Sequence, residues 1–141
     1  DPIFKLFVDG TLGKFVSRND SRALQVKADP IHNSQTVPII VIVSEDTVSY
    51  GEIFAGVLKD LGRAKVVGQT SLGNVEVLHG YNFDDNSQVW IASETFYSAT
   101  SETNFELSGI IPDVEAFAEW DTITFETDPS IKAALGLLGH Q

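Results

Sequence analysis

The clearest pattern in the chain is an apolar run followed by a helical repeat and a second apolar run. Residues 37–43 (VPIIVIV) are almost all apolar and mostly β-branched, which predicts a strand buried on both faces. Apolar residues then recur at helical spacing over 49–61, and Gly62 is placed to end that helix. Residues 64–68 (AKVVG) predict a second buried strand. Together these segments predict a β-α-β unit.

Antiparallel strands are predicted elsewhere by alternation of apolar and polar residues. Short extended segments separated by turn residues are predicted at 3–8, 13–17 and 23–27. Alternation on either side of a turn at 84–87 (DDNS) predicts a hairpin over 75–97. Asp128 and Pro129 suit the start of a last helix, whose buried stripe would include Leu135. We therefore expect residues 1–141 to form a single α/β domain with a mixed sheet.

Ser49 lies where the first predicted strand turns into the predicted helix, and two roles fit it. With Glu52 it matches the capping box S-x-x-E, in which the serine hydroxyl accepts a hydrogen bond from the first turn. The same place, beyond the carboxyl end of a buried strand and at a helix N-terminus, also suits a nucleophile beside an oxyanion hole. Spacing alone favours the cap, because capping serines are common.

Charge and composition exclude several classes of function. Nine basic residues against twenty acidic ones give a formal net charge of −11, which argues against nucleic acid or an anionic membrane as partner. No apolar run approaches the ~20 residues that span a bilayer. The absence of cysteine excludes disulfides, a thiol nucleophile and thiolate zinc sites. Nothing in the pattern calls for a metal or an organic cofactor.

Two stretches, VPIIVIVSEDTVSYGEIFAGVLKDLGRAKVVGQTSLGN (37–74) and GIIPDVE (109–115), resemble the C-terminal-processing, or tail-specific, serine peptidases. That family also holds the tricorn protease core. The resemblance implies a ClpP/crotonase-like α/β fold, Ser49 as nucleophile, the Tyr50 N–H as one oxyanion donor, and a polypeptide substrate. It also favours an extracytoplasmic or cell-envelope location, and it reverses the preference for a purely capping role of Ser49.

One position departs from the family pattern. Members with a Lys–Ser dyad have the general-base lysine where this chain has Asn74, and an asparagine side chain does not accept a proton at physiological pH. The tricorn-like branch instead uses a histidine oriented by a glutamate, and Glu106 in FELSGIIPD is in register with that glutamate. Glu76 is a second, less favoured candidate carboxylate.

None of the three histidines matches the family's base. His32 lies in a loop, His79 in the predicted hairpin and His140 at the C-terminus, and each is expected at the surface. The resemblance therefore predicts that the base lies upstream and that the chain is the C-terminal part of a catalytic domain. Such a part is expected to be inactive alone and to self-associate through unpaired strand edges.

A non-catalytic ligand- or peptide-binding module is the alternative. The retinoid-binding repeats of the vertebrate eye resemble this peptidase fold without its chemistry, so the fold alone does not decide function. Asn74 at the lysine position favours this alternative, and retention of Ser49 together with Glu106 opposes it.

Overall fold

The computed structural model describes residues 2–117 and 119–139. Within these residues, seven strands lie at β1 (Gly10–Ser17), β2 (Ser21–Val26), β3 (Ile40–Val43), β4 (Lys65–Gly68), β5 (Val77–Asn82), β6 (Gln88–Ser98) and β7 (Val114–Glu115). The described part of the chain also contains two α-helices, α1 (Tyr50–Asp60) and α2 (Pro129–Leu137). Short 3-10 helices occupy Phe4–Leu6 and Trp120–Thr122. Among the described residues, no helix combines the length and apolar character that crossing a membrane requires.

The strands form two sheets. An antiparallel sheet has the order β2-β1-β6-β5, and a parallel sheet has the order β3-β4-β7. The predicted β-α-β unit is confirmed, because β3 pairs in parallel with β4 and α1 connects them. The predicted hairpin is confirmed as β5 and β6. The α/β class is therefore as expected, with its parallel and antiparallel strands divided between the two sheets.

Helix α1 supplies much of the core. Its buried residues Ile53, Val57 and Leu58 belong to the same cluster as Phe96 of the antiparallel sheet. A Cβ placed on Gly56 would lie 2.5 Å from the ring of Phe105, so a larger residue there would displace that ring. This close packing positions the middle of α1 against the segment that contains Phe105.

Two predictions about strands were wrong. Residues 3–8 are not extended: the segment holds the 3-10 helix, which places the buried Phe4 ring 5.3 Å from the ring of Phe54. The first parallel strand begins only at Ile40, and its Ile42 is 45% exposed, so β3 is not buried on both faces. The run of β-branched residues indicates a strand correctly, but it does not reveal which neighbours cover each face.

The last helix starts as predicted and faces the core differently. Asp128 caps α2 by accepting hydrogen bonds from the backbone N–H groups of Ser130, at 2.7 Å, and Ile131. Ala134 is buried, whereas Leu135 is 42% exposed. The prediction that Leu135 belongs to the buried stripe is therefore wrong, because α2 packs Ser130 and Ala134 against the protein, whereas Ile131 and Leu138 of the predicted stripe are half-buried.

Candidate active site

Ser49 occupies a backbone conformation that L-residues rarely adopt. It lies immediately before α1, with φ +60° and ψ −124°, and it is exposed. A non-glycine residue held in so sparsely populated a region costs about 1–3 kcal/mol and persists only where surrounding contacts fix it. Such residues cluster at active sites and ligand-binding turns.

The hydrogen bonds that hold the Ser49 turn run through the Ser49 backbone. Ser49 and Glu52 form a capping box, in which the Ser49 side chain faces the Glu52 backbone and the Ser49 N–H donates to Glu52 Oε2 at 3.1 Å. The Ser49 N–H also donates to the Asn74 carbonyl oxygen at 2.8 Å. The Ser49 hydroxyl makes no cap hydrogen bond. The backbone of Ser49 is therefore held in place while its Oγ is left available in the exposed turn.

Glu52 is the polar centre behind this turn. Its side chain is fully buried and accepts further hydrogen bonds from the Ser71 hydroxyl at 2.5 Å, the Gly73 N–H at 2.6 Å and the Asn74 N–H at 2.9 Å. Four donors thus surround one carboxylate, which is the usual way in which a buried charge is stabilised. Glu52 ties the Ser49 turn to the loop that follows β4.

The loop that follows β4 is also hydrogen-bonded to residues 105–110. The Ser71 hydroxyl oxygen accepts from the Ile110 N–H at 2.7 Å, and the Gly73 carbonyl oxygen accepts from the Leu107 N–H at 2.8 Å. Gly109 has φ +62°, and a Cβ placed on it would lie 2.2 Å from the Ser71 carbonyl oxygen. The two loops, residues 71–75 and 105–110, are therefore in backbone contact and form one support behind Ser49.

Glu106 belongs to this support. Its carboxylate accepts a hydrogen bond from the Val75 N–H at 2.8 Å, and the residue is partly buried. Val75 follows Asn74, whose carbonyl oxygen accepts from the Ser49 N–H. Glu106 is thus linked to Ser49 through the loop backbone, and it is not among the residues that line the cleft in front of Ser49.

A cleft of about 730 Å³ opens at the Ser49 turn. The structure brings Ser49, Tyr50, Asn74 and Glu76 together in its wall. The apolar part of the wall comes from Phe15, Leu24, Val48, Ile53, Val75, Val77, Leu78 and Trp90. Tyr50 is the first residue of α1, so its N–H is one of the helix donors that lack an intrahelical acceptor. A carbonyl oxygen entering the cleft beside Ser49 could accept from such a donor.

Arg22 is a cleft residue that the sequence reasoning missed. Its guanidinium lies 4.0 Å above the centre of the Phe15 ring, and its Nη2 donates to Glu94 Oε2 at 2.6 Å. That hydrogen bond raises the pKa of Arg22. Burial raises the pKa of the Tyr50 phenol, which therefore stays protonated at neutral pH. Arg22, Phe15 and Glu94 lie on three adjacent strands, and only their pairing in the sheet brings them together.

Of the described histidines, neither His32 nor His79 lines the cleft. His32 and His79 are exposed, and the His79 ring is 4.8 Å from the ring of Tyr81. His140 is outside the described residues. Within the part of the chain that the structure describes, neither a histidine nor a lysine lines the cleft. Asn74 does line it, at the position where the resemblance would place a lysine.

Comparisons with known proteins agree with the resemblance. The model of a family described as Peptidase family S41 matches residues 3–116. A "Probable CtpA-like serine protease" of Staphylococcus aureus is 26% identical over 153 aligned residues, covering 96% of this chain and 30% of the relative. The "Carboxyl-terminal-processing peptidase 3, chloroplastic" of Arabidopsis thaliana is 29% identical over 102 residues, covering 72% of this chain and 20% of that protein. The chain therefore spans less than a third of the curated relatives' length.

The fold has a matching counterpart among solved structures. The structure of a photosystem II D1 C-terminal processing protease superposes with a TM-score of 0.72 at 24% sequence identity. The match covers 95% of this chain and 34% of that protein. At this level of identity, the likeness shows that the two share a fold.

Proposed function

We propose, because the chain belongs to peptidase family S41, that the protein containing it is a serine endopeptidase. Its substrates would be unfolded or C-terminal polypeptide segments. The observation that carries this proposal is the Ser49 turn. An exposed hydroxyl without a cap hydrogen bond lies on a strained backbone, at a helix N-terminus and in a cleft large enough for a peptide segment.

The proposed reaction is acyl transfer through Ser49. Its Oγ attacks the scissile carbonyl carbon and its proton passes to a base, which returns the proton to the leaving amine; water then hydrolyses the acyl-enzyme. The Tyr50 N–H would be one donor to the oxyanion. The side chain of Asn74 cannot serve as the base. We assign Glu106 the role of orienting a histidine that is not among the described residues of this chain.

The support behind Ser49 favours this chemistry. Nucleophilic catalysis requires the attacking oxygen to be held in a narrow range of positions, and preorganised sites avoid reorganisation during the reaction. Glu52 fixes Ser49 and the 71–74 loop with four hydrogen bonds from a fully buried position. A surface turn that only capped a helix would not require this arrangement.

A non-catalytic binding module remains the second candidate. It is favoured by Asn74 at the lysine position and by the lack of a histidine or lysine among the described residues that line the cleft. Under this alternative the cleft would hold a peptide or another ligand without cleaving it.

Hydrolysis of an unstructured protein separates the two candidates. We expect the intact protein that carries this chain to cleave a casein-type substrate and to lose that activity after treatment with a serine-directed fluorophosphonate, because the reagent esterifies an activated serine. Gel electrophoresis and mass spectrometry of the products provide the measurement. Intact casein after long incubation with a folded protein would favour the binding module.

We also propose an extracytoplasmic or cell-envelope location, which is the one that the resemblance implies. The Arabidopsis relative is named as a chloroplastic protein. Separation of cytoplasmic and envelope fractions from the source cells tests the proposal, and recovery in the cytoplasm alone would contradict it.

A further inference from the structure

We propose that the cleft beside Ser49 selects polypeptides carrying a cationic group, an ammonium or guanidinium, which binds Glu76 with the Trp90 ring as the neighbouring wall. The inference rests on the proposed function, since it names the class of polypeptide that this site would take. Both residues line the cleft that contains Ser49.

Glu76 carries the uncompensated charge of the cleft. It is partly buried, and no hydrogen bond or ion pair joins its side chain to another described residue. The other charged residue in the wall, Arg22, is bound to Glu94 through both Nε and Nη2. The guanidinium and Glu94 neutralise each other, so one negative charge remains. A partly desolvated carboxylate without a partner gains most from a cationic ligand.

Trp90 supplies an aromatic surface in the same wall. It lies opposite Gly80 in the β5–β6 pairing. A Cβ placed on Gly80 would lie 3.0 Å from two carbons of the six-membered ring and 3.1 Å from a third, so the ring lies flat across the glycine. The Trp90 side chain is nevertheless 60% exposed, which leaves its other face open. An open indole face binds ammonium and guanidinium groups and packs against the methylene stem of a lysine.

The net negative charge of the whole chain also favours cationic ligands. A formal net charge of −11 attracts cationic segments and repels acidic ones at low ionic strength. This long-range term adds to the local preference and is screened by salt. The contribution of Glu76 should persist at higher salt, because the carboxylate is partly buried.

Binding of matched peptides to the intact protein carrying Ser49→Ala tests the inference without requiring hydrolysis. Fluorescence anisotropy would compare a labelled peptide containing one lysine with the same peptide containing Nε-acetyl-lysine, each with a free or an acetylated amino terminus. We expect the cationic form to bind about tenfold more tightly. The two acetylations reveal whether a side chain or the amino terminus supplies the cation, and either source supports the inference.

Variants show which residues produce the preference for the cationic peptide. Glu76→Gln should remove most of the difference between the two peptides, and Trp90→Leu should reduce it. The matched control Glu45→Gln changes an exposed carboxylate near Ser49 that is outside the cleft wall, and it should leave the difference unchanged. Circular dichroism would check that each variant is folded. The comparison of the charged and acetylated peptides is made with Glu76 and Trp90 in place, so it remains a test even if their variants fail to fold.

Equal binding of the charged and acetylated peptides would overturn the inference. So would unchanged relative binding of the two peptides after Glu76→Gln in the Ser49→Ala protein; if Glu76→Gln also lowers the turnover of both peptides equally in the protein that retains Ser49, Glu76 acts in catalysis. A cation preference without hydrolysis by the wild-type protein would support the inference and contradict only the proposed peptidase activity. Hydrolysis without a cation preference would support the proposed peptidase activity and contradict the inference.

Discussion

Replacing Glu52 with glutamine is expected to lower the free energy of unfolding by about 3 kcal/mol. The Glu52 carboxylate is fully buried and accepts four hydrogen bonds, two at each oxygen. A glutamine amide has one acceptor oxygen, and its NH2 group would face donors such as the Gly73 N–H or the Ser49 N–H. At least one buried backbone N–H would therefore lose its partner.

Thermal or denaturant unfolding of the chain measures this effect. Glu45→Gln removes an exposed carboxylate of the same turn and should change the stability by no more than about 0.5 kcal/mol. If Glu52→Gln were as stable as Glu45→Gln, the four hydrogen bonds would not be holding the nucleophile turn, and the described support behind Ser49 would have to be abandoned.

Replacing Glu106 with glutamine is expected to lower kcat of the intact protein about 10⁴-fold while the fold is preserved. The fold should survive because the amide oxygen can still accept from the Val75 N–H. Catalysis should suffer because an amide neither stabilises an imidazolium nor enforces the same histidine tautomer. Asn74→Ala should be much milder, since the hydrogen bonds of Asn74 to Ser49 and Glu52 use its backbone.

Single-turnover kinetics of both variants, together with the pH profile of the wild-type protein, test this assignment. A histidine base must be neutral to accept the Ser49 proton, so the rate should fall as the pH drops below about 6.5. Near-wild-type activity in Glu106→Gln, combined with loss of all turnover in Asn74→Ala or Glu76→Gln, would show that the catalytic group lies in residues 74–76.

Local sequence patterns are sufficient to predict the β3–α1–β4 unit and the place of Ser49 within it. A β-branched run, a helical repeat and a glycine stop are each encoded over a few neighbouring residues. Residues 3–8 show the limit of this approach, because an apolar pattern suited to a strand becomes a 3-10 helix once Phe4 packs beneath α1. Tertiary burial overrides local preference at that point.

The support behind Ser49 could not be predicted from local sequence patterns. The capping-box spacing identifies Glu52 as a partner of the Ser49 N–H, but its remaining donors lie about twenty residues downstream. Glycines such as Gly109 signal turns in the sequence. The close approach of Gly109 to Ser71, which requires a glycine, forms only when the chain folds. The cleft wall depends likewise on strand register, which places Arg22 opposite Phe15 and Trp90 opposite Gly80.

Covalent labelling of the intact protein with a fluorophosphonate, followed by intact-mass measurement and peptide mapping, tests most directly whether Ser49 is a nucleophile. We expect one adduct per chain, located on Ser49 and absent from the Ser49→Ala variant. An adduct on another serine, or no adduct on a folded protein, would contradict this expectation.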